Sequence, residues 1–249
     1  MSNVTKIIDE EITGQAPIDL NNRIVRRTKF PPLILNGHWL NDGNAILFNN
    51  GQKAFIYLTG DRIPSTICGG PLNDEYEFHD AHFHWGENDS RGAEHTINGT
   101  WFSMECHLVH WNKKYLNFDE CLKQRDGICV LAYLFLVQSK ACQCSKFEKI
   151  SENLKYIQNA GSETKIPANS LAWMRVATDC SSYYVYHGSY NTNSNPTCVT
   201  WIVFPVIIPI QSSQLNEFRK LKDKNGEFIK SNWKEVQPLQ GRQIFLAVP

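Results

Sequence analysis

The stretch HDAHFHWGEND, residues 79–89, places three histidines within six positions. Successive side chains of a β-strand alternate between its two faces, so residues two apart point the same way. The pattern predicts a strand on which His82 and His84 share one face, whereas His79, an odd number of positions away, points elsewhere. Such a pair is by itself more typical of ordinary hydrogen-bonded histidines than of a metal site. Its interpretation as a metal site therefore depends on a third ligand.

The segment ECHLVHW, which begins at Glu105, offers that third ligand. By the same alternation, Glu105, His107 and Val109 share one face of a strand and His110 takes the other. The turn-rich stretch between His84 and His107 is long enough to bring this strand back beside the first. Two histidines from one strand and one from its neighbour predict a three-histidine site with one open position. That arrangement is typical of a catalytic zinc rather than of a structural zinc, which closes all four positions with protein ligands.

The remaining strand signals predict a mainly β domain. Strong candidates are rich in β-branched and aromatic residues and are separated by turn residues: 45–60 as two strands around an Asn-Asn-Gly turn, 101–112, 128–138 and 198–210. The last two are apolar on both faces, which predicts central strands. Helical periodicity is confined to 145–158 and 212–221, which we expect at the periphery of the sheet.

Composition limits the classes of function. The chain has 249 residues, 42% of them hydrophobic, which suits one globular domain. Its 25 basic and 25 acidic residues leave no net field to attract polyanions, so nucleic acid is excluded as an expected partner. The N-terminus MSNVTKIIDEEITGQ lacks the pattern of a signal peptide, and no segment reaches the length of a membrane span. We therefore expect a cytoplasmic protein without a membrane partner, although secretion by another route stays open.

Several motifs, taken in order, resemble the alpha-class carbonic anhydrases: AHFHWG, AEHT, ECHLVHWN, CVTWIV and NWKEVQPLQGRQI, preceded by GQAPIDL at the entry. The resemblance implies a single domain at residues 14–249, with an N-terminal lead-in at 1–13. It also implies a large twisted, mostly antiparallel sheet with a few peripheral helices. The implied activity is the reversible hydration of carbon dioxide to bicarbonate and a proton, by a monomer whose partner is this small-molecule substrate.

The resemblance assigns the ligands of a zinc ion (Zn²⁺) to His82, His84 and His107, the three that strand alternation selects. The resemblance implies that the carboxylate of Glu105 accepts a hydrogen bond from the second ring nitrogen of His107. It also implies that a backbone carbonyl near Asn232 accepts one from the second ring nitrogen of His84. Asp80 stands where the family carries a side-chain amide facing the remaining ligand. A carboxylate accepts the same hydrogen bond, but it makes the imidazole more basic and the metal a slightly weaker acid.

The resemblance also implies an apolar substrate pocket, whose wall positions are taken by Val109, Val130, Val199 and Trp201. A family threonine that hydrogen-bonds the zinc-bound hydroxide and a buried glutamate, here Glu94, is replaced by Asn191. Thr192 supplies a hydroxyl only if this loop shifts, and Tyr190, in place of leucine, narrows the pocket mouth. Misplacement of a reacting group by about an ångström costs roughly 100-fold in rate.

Proton export is a further departure, because fast members carry a histidine after an Asn-Gly pair and this chain carries Gln52. Glutamine does not shuttle protons near neutral pH. The sequence therefore predicts a slow carbonic anhydrase. Two alternatives stay open: a catalytically weak or inactive carbonic anhydrase-related protein that acts as a binding module, and a zinc hydrolase of small activated esters.

Overall fold

A computed structural model describes residues 14–138, 145–179, 182–190 and 197–249. Fourteen strands are present in these ranges: β1 (Asp19–Leu20), β2 (Arg26–Thr28), β3 (Leu33–Asn36), β4 (Asn44–Asn49), β5 (Ala54–Thr59), β6 (Thr66–Gly69), β7 (Tyr76–Trp85), β8 (Thr96–Ile97), β9 (Met104–Asn112), β10 (Ile128–Val137), β11 (Glu163–Ile166), β12 (Tyr184–Gly188), β13 (Val199–Ile210) and β14 (Phe245–Ala247). The helices are short: α1 (Phe118–Cys121), α2 (Ser145–Ser151), α3 (Arg175–Thr178) and α4 (Ser212–Arg219), with 3₁₀ turns at Leu154–Tyr156 and Ala172–Met174.

Twelve of the described strands form one sheet, in the order β11-β4-β5-β7-β9-β10-β13-β12-β14-β2, and β6 joins β3 to the side of β7. Most neighbours are antiparallel, whereas β10 with β13 and β14 with β2 are parallel. The predicted fold class, a single mainly β domain on a large, mostly antiparallel sheet with few helices, is confirmed.

The strands β10 and β13 lie at the centre of this sheet, as their apolar runs predict. Nearly every residue of β10 is buried, from Ile128 to Phe135. A parallel pair covered on both faces reads as a continuous apolar run, because neither face meets water. Two apolar clusters of side chains, one on each side of the sheet, result from this arrangement.

Strands β4 and β5 form a hairpin, and the predicted Asn-Asn-Gly turn connects them. Gly51 has a φ of 87°, a left-handed conformation that favours glycine. Strand β5 then runs antiparallel to β7, with Phe55 opposite His82. This register brings β5 to the edge of the histidine cluster.

The predicted helix at 145–158 is wrong in its extent, because α2 ends at Ser151 and a 3₁₀ turn follows. Asn153 causes the break: its side-chain amide donates to the backbone carbonyl of Lys149, 3.0 Å away. The backbone N–H of Asn153 bonds instead to the carbonyl of Ile150. Asparagine competes with the helical ladder in this way. The apolar positions of the predicted stripe are nevertheless fully buried: Phe147, Ile150, Leu154 and Ile157.

Candidate metal centre

Three buried histidines meet where β7 pairs with β9. His82 stands directly opposite His107 in this antiparallel pair, and His84 lies two residues further along β7 on the same face. One nitrogen of each ring lies within 4.8 Å of the others, and all three residues are buried. The strand alternation read from the sequence therefore brings the predicted ligands together.

The second nitrogen of each ring is held by a hydrogen bond. Nδ1 of His82 lies 2.7 Å from Oδ1 of Asp80, and Nδ1 of His84 lies 3.1 Å from the backbone oxygen of Asn232. Nε2 of His107 lies 2.7 Å from Oε1 of Glu105. These bonds leave Nε2, Nε2 and Nδ1 of the three rings as the potential metal-binding atoms. Anchoring of this kind fixes the tautomer and the orientation of a ligating imidazole.

Glu105 is the hub of the buried network behind His107. Its Oε1 also accepts from Nδ1 of His95 at 2.6 Å, and its Oε2 accepts the backbone N–H groups of Glu94 and His95. Burial alone would raise the pKa of this carboxyl, but the neighbouring imidazoles and their hydrogen bonds hold it well below its ordinary value. Glu105 is thus kept as an anion that accepts from His107.

Burial keeps the imidazoles of His82 and His84 neutral. It is the main cause that lowers the pKa of His82 to about 4 and the pKa of His84 well below its ordinary value, and the ammonium of Lys53 lowers both further. A neutral imidazole is the form that binds a metal. Nε2 of His84 is buried and has no hydrogen-bond partner among the described residues, which leaves a lone pair for an ion. Three imidazoles with anchored second nitrogens fit a zinc ion.

Residues 9–248 match the family model of the eukaryotic-type carbonic anhydrases. The chain belongs to this family. It is 31% identical to carbonic anhydrase 3 of Rattus norvegicus over 236 residues, which covers 93% of the chain and 88% of that protein. The same protein of Homo sapiens is 29% identical over 237 residues and that of Bos taurus 30% identical over 236, with the same coverage.

The carbonic anhydrase cavity in this chain has a volume of about 70 Å³ and opens beside the histidine cluster. Of the predicted wall residues, Val109, Val130, Tyr190 and Trp201 line it. Val199 is fully buried in the same apolar cluster as Trp201 and does not line the cavity that the described residues form. The cavity is lined in about equal parts by apolar side chains and by the polar and charged side chains around the histidine cluster.

Two lysines that were not predicted from the sequence, Lys53 and Lys234, line the cavity. Burial lowers the pKa of Lys53, and the ammonium of Lys234 lowers it further, although the carboxylate of Glu94 opposes this. Gln52, by contrast, is exposed and is not among the lining residues. The sequence alone does not give the register of β5 against β7. In the structure this register places Phe55 opposite His82, and strand alternation then directs Lys53, two residues before Phe55, to the same side.

Glu94 is buried and lines the cavity. Its Oε1 is 2.9 Å from Nδ1 of His84, yet it has no hydrogen-bond partner among the described residues, because the imidazole donates to Asn232. The predicted relay partners of this carboxylate, Asn191 and Thr192, lie outside the described residues. Tyr190, which precedes them, is 6.0 Å from Phe118 between ring centroids.

The described helices include none that is both long and apolar enough to cross a membrane. The division of the chain at residue 13 and the monomeric state stay predictions.

Proposed function

We propose that this family member is a zinc enzyme that hydrates carbon dioxide reversibly to bicarbonate and a proton, at a reduced rate. The observation that carries the proposal is the meeting of His82, His84 and His107, each with its second nitrogen hydrogen-bonded. Zinc held by three neutral ligands keeps its full double charge, and when bound it lowers the pKa of a coordinated water to about 7.

The chain's own residues position the substrate. Carbon dioxide has no charge, so it is held by apolar surface, and Val109, Val130 and Trp201 provide that surface beside the metal-binding nitrogens. A cavity of about 70 Å³ has room for a triatomic molecule. A comparison of the rates of carbon dioxide hydration and ester hydrolysis would separate this activity from that of an esterase.

Glu94 supports orientation of the reacting groups. Its partnerless Oε1 is a buried acceptor next to the site, which suits a donor from the adjoining loop. In the family pattern a threonine hydroxyl is that donor, and Asn191 takes its place here. Asparagine has both a donor and an acceptor, but its planar amide is longer and lacks a rotating hydroxyl. We attribute the reduced rate to this substitution and to the glutamine at position 52.

The intact ligand set favours an enzyme over the alternative of a binding module. A protein that used only its outer surface would have no need for three buried imidazoles with anchored second nitrogens. The cytoplasmic location stays a prediction from the sequence.

Stopped-flow measurement of carbon dioxide hydration, with and without a zinc chelator, tests the proposal. We expect about one zinc per chain, hydration above the uncatalysed rate, and loss of both on chelation, with recovery when zinc is returned. His107→Ala should bind little zinc, whereas His187→Gln, a matched histidine substitution outside the cluster, should retain it. Full zinc content without hydration would point to the binding module, and full zinc in His107→Ala would overturn the ligand assignment.

A further inference from the structure

His79 occupies a β-bulge directly before the ligand-bearing part of β7. In the pairing with β9, Phe78 lies opposite His110 and Asp80 lies opposite Val109, so the register shifts at His79. A bulge inserts one unpaired residue and re-aims its side chain. Regular alternation is interrupted at this residue, and His79 lies outside the described histidine cluster, as expected from the sequence.

The re-aimed ring of His79 bonds to the carboxylate that holds His82. Nδ1 of His79 lies 2.8 Å from Oδ2 of Asp80, and Nδ1 of His82 lies 2.7 Å from Oδ1. An ionised carboxylate only accepts hydrogen bonds, so both imidazoles donate to it. The ring of His79 also stacks on Phe118, with centroids 4.0 Å apart and planes at 22°. Its position is therefore fixed from two sides.

The carboxylate of Asp80 requires this second donor. Its side chain is 3% exposed, whereas that of His79 is 39% exposed. A buried acceptor left without a partner costs free energy, and the cost is greater for a charged group. A family-type amide presents only one oxygen, which His82 would satisfy, but the carboxylate presents two. Burial alone would raise the pKa of Asp80, and the hydrogen bonds from His79 and His82 hold it below its ordinary value.

We propose that His79 is a positioning residue of the metal site, which acts by fixing the Asp80 carboxylate so that its Oδ1 stays on Nδ1 of His82. The inference rests on the proposed function, because it takes the ion held by the histidine cluster to be zinc. His79 itself touches neither metal nor substrate. Its effect is indirect, because it fixes the carboxylate of Asp80, which in turn orients the ring of His82. The role arises in this chain because Asp80 stands where the family carries an amide.

The experiment compares variants that separate hydrogen bonding from stacking. His79→Phe keeps a ring on Phe118 but removes the donor, and His79→Asn keeps a donor near the position of Nδ1 but removes the ring. Loss of a ligand's hydrogen-bond partner typically costs roughly 10- to 100-fold in metal affinity. Since His79 acts one bond further out, we expect zinc to leave His79→Phe several-fold faster than wild type, at a rate that His79→Asn largely restores. The readouts are zinc transfer to a chelator and the visible spectrum of the cobalt-substituted protein.

A second background tests the route through Asp80. In Asp80→Asn the acceptor that His79 uses is gone, so adding His79→Phe should not accelerate zinc loss further. Equal zinc loss in wild type and His79→Phe would overturn the proposal, as would His79→Asn releasing zinc as fast as His79→Phe. Should His79→Phe fail to fold by circular dichroism, His79→Leu, which also lacks the donor, takes its place. A wild-type protein that binds no zinc at all would refute the proposed function, whereas zinc-bound variants that behave alike would refute only the role of His79.

Discussion

Oδ1 of Asp80 lies 2.7 Å from Nδ1 of His82, so a negatively charged carboxylate is hydrogen-bonded to one member of the histidine cluster. We predict that Asp80→Asn lowers the midpoint of the pH profile of carbon dioxide hydration. The amide accepts the same hydrogen bond without the charge, which makes the imidazole less basic and leaves the metal a stronger acid. Stopped-flow rates of carbon dioxide hydration, measured from about pH 5 to about pH 9, would show the change in the midpoint, because this range covers the pKa shifts that nearby charges cause.

Glu77→Gln is the matched control for this substitution, because it removes a carboxylate from the same strand, β7. Glu77 is part of the surface pairing with Lys113 at 3.9 Å. The control should leave the midpoint where it is in the wild-type protein. An unchanged or higher midpoint in Asp80→Asn would show that the charge of this carboxylate does not reach the metal.

Lys53 is expected to act in the opposite direction. Its ammonium lowers the pKa of both His82 and His84, so its field reaches the ligand cluster. A positive charge favours the deprotonated state of any group that releases a proton in the cavity. We predict that Lys53→Met raises the midpoint of the hydration profile, by roughly half a pH unit or more. Lys155→Met, on the far 3₁₀ turn, serves as the control. A midpoint that stays or falls would contradict this assignment.

The buried pair of His38 and His110 predicts a dependence of stability on pH. Their Nε2 atoms lie 2.8 Å apart. Burial lowers the pKa of His110 from 6.5 to about 4, and burial followed by the neighbouring imidazole lowers that of His38 well below its ordinary value. The unfolded chain therefore binds protons that the folded chain does not. The free energy of unfolding should fall as the pH drops from 6.5 towards 4, by about 1.4 kcal/mol per pH unit for each such group.

Urea unfolding at about pH 7 and about pH 5 measures this dependence, because an ordinary histidine titrates between these two values. His38→Gln removes one of the two rings, so the difference in stability between the two pH values should shrink. His82 and His84 are present in both proteins, so the comparison cancels their contribution. An equal difference in the variant would show that the buried pair does not carry the effect.

Alternation along the strands predicts which histidines lie together because a sheet has only two faces. His82, His84 and His107 could be selected from spacing, and the paired register of β7 and β9 confirms that they meet. The central positions of β10 and β13 followed from apolar runs in the same way. These features depend on local periodicity, which the sequence displays directly.

Features that depend on a single displaced residue could not be predicted. The bulge at His79 adds one residue without changing the hydrophobic pattern, so its contact with Asp80 is visible only in the structure. The family pattern places its proton-shuttling residue after Asn-Gly, at the position of Gln52, whereas the register of β5 directs the side chain of Lys53 to the cavity. A one-residue change of phase exchanges the two faces of a strand, and tertiary pairing sets that phase.

Asn191 provides the most direct test of why the enzyme should be slow. In the family pattern a threonine hydroxyl at this position donates to the buried glutamate, and Oε1 of Glu94 has no partner among the described residues. We predict that Asn191→Thr raises carbon dioxide hydration several-fold, because the rotating hydroxyl restores a donor of the right length to that oxygen. The matched variant Asn191→Thr with Glu94→Gln should lose the gain, since the amide no longer offers an anionic acceptor. Hydration that is unchanged or lower in Asn191→Thr would mean that asparagine already fills this role, and any reduction of the rate would then have to come from proton export.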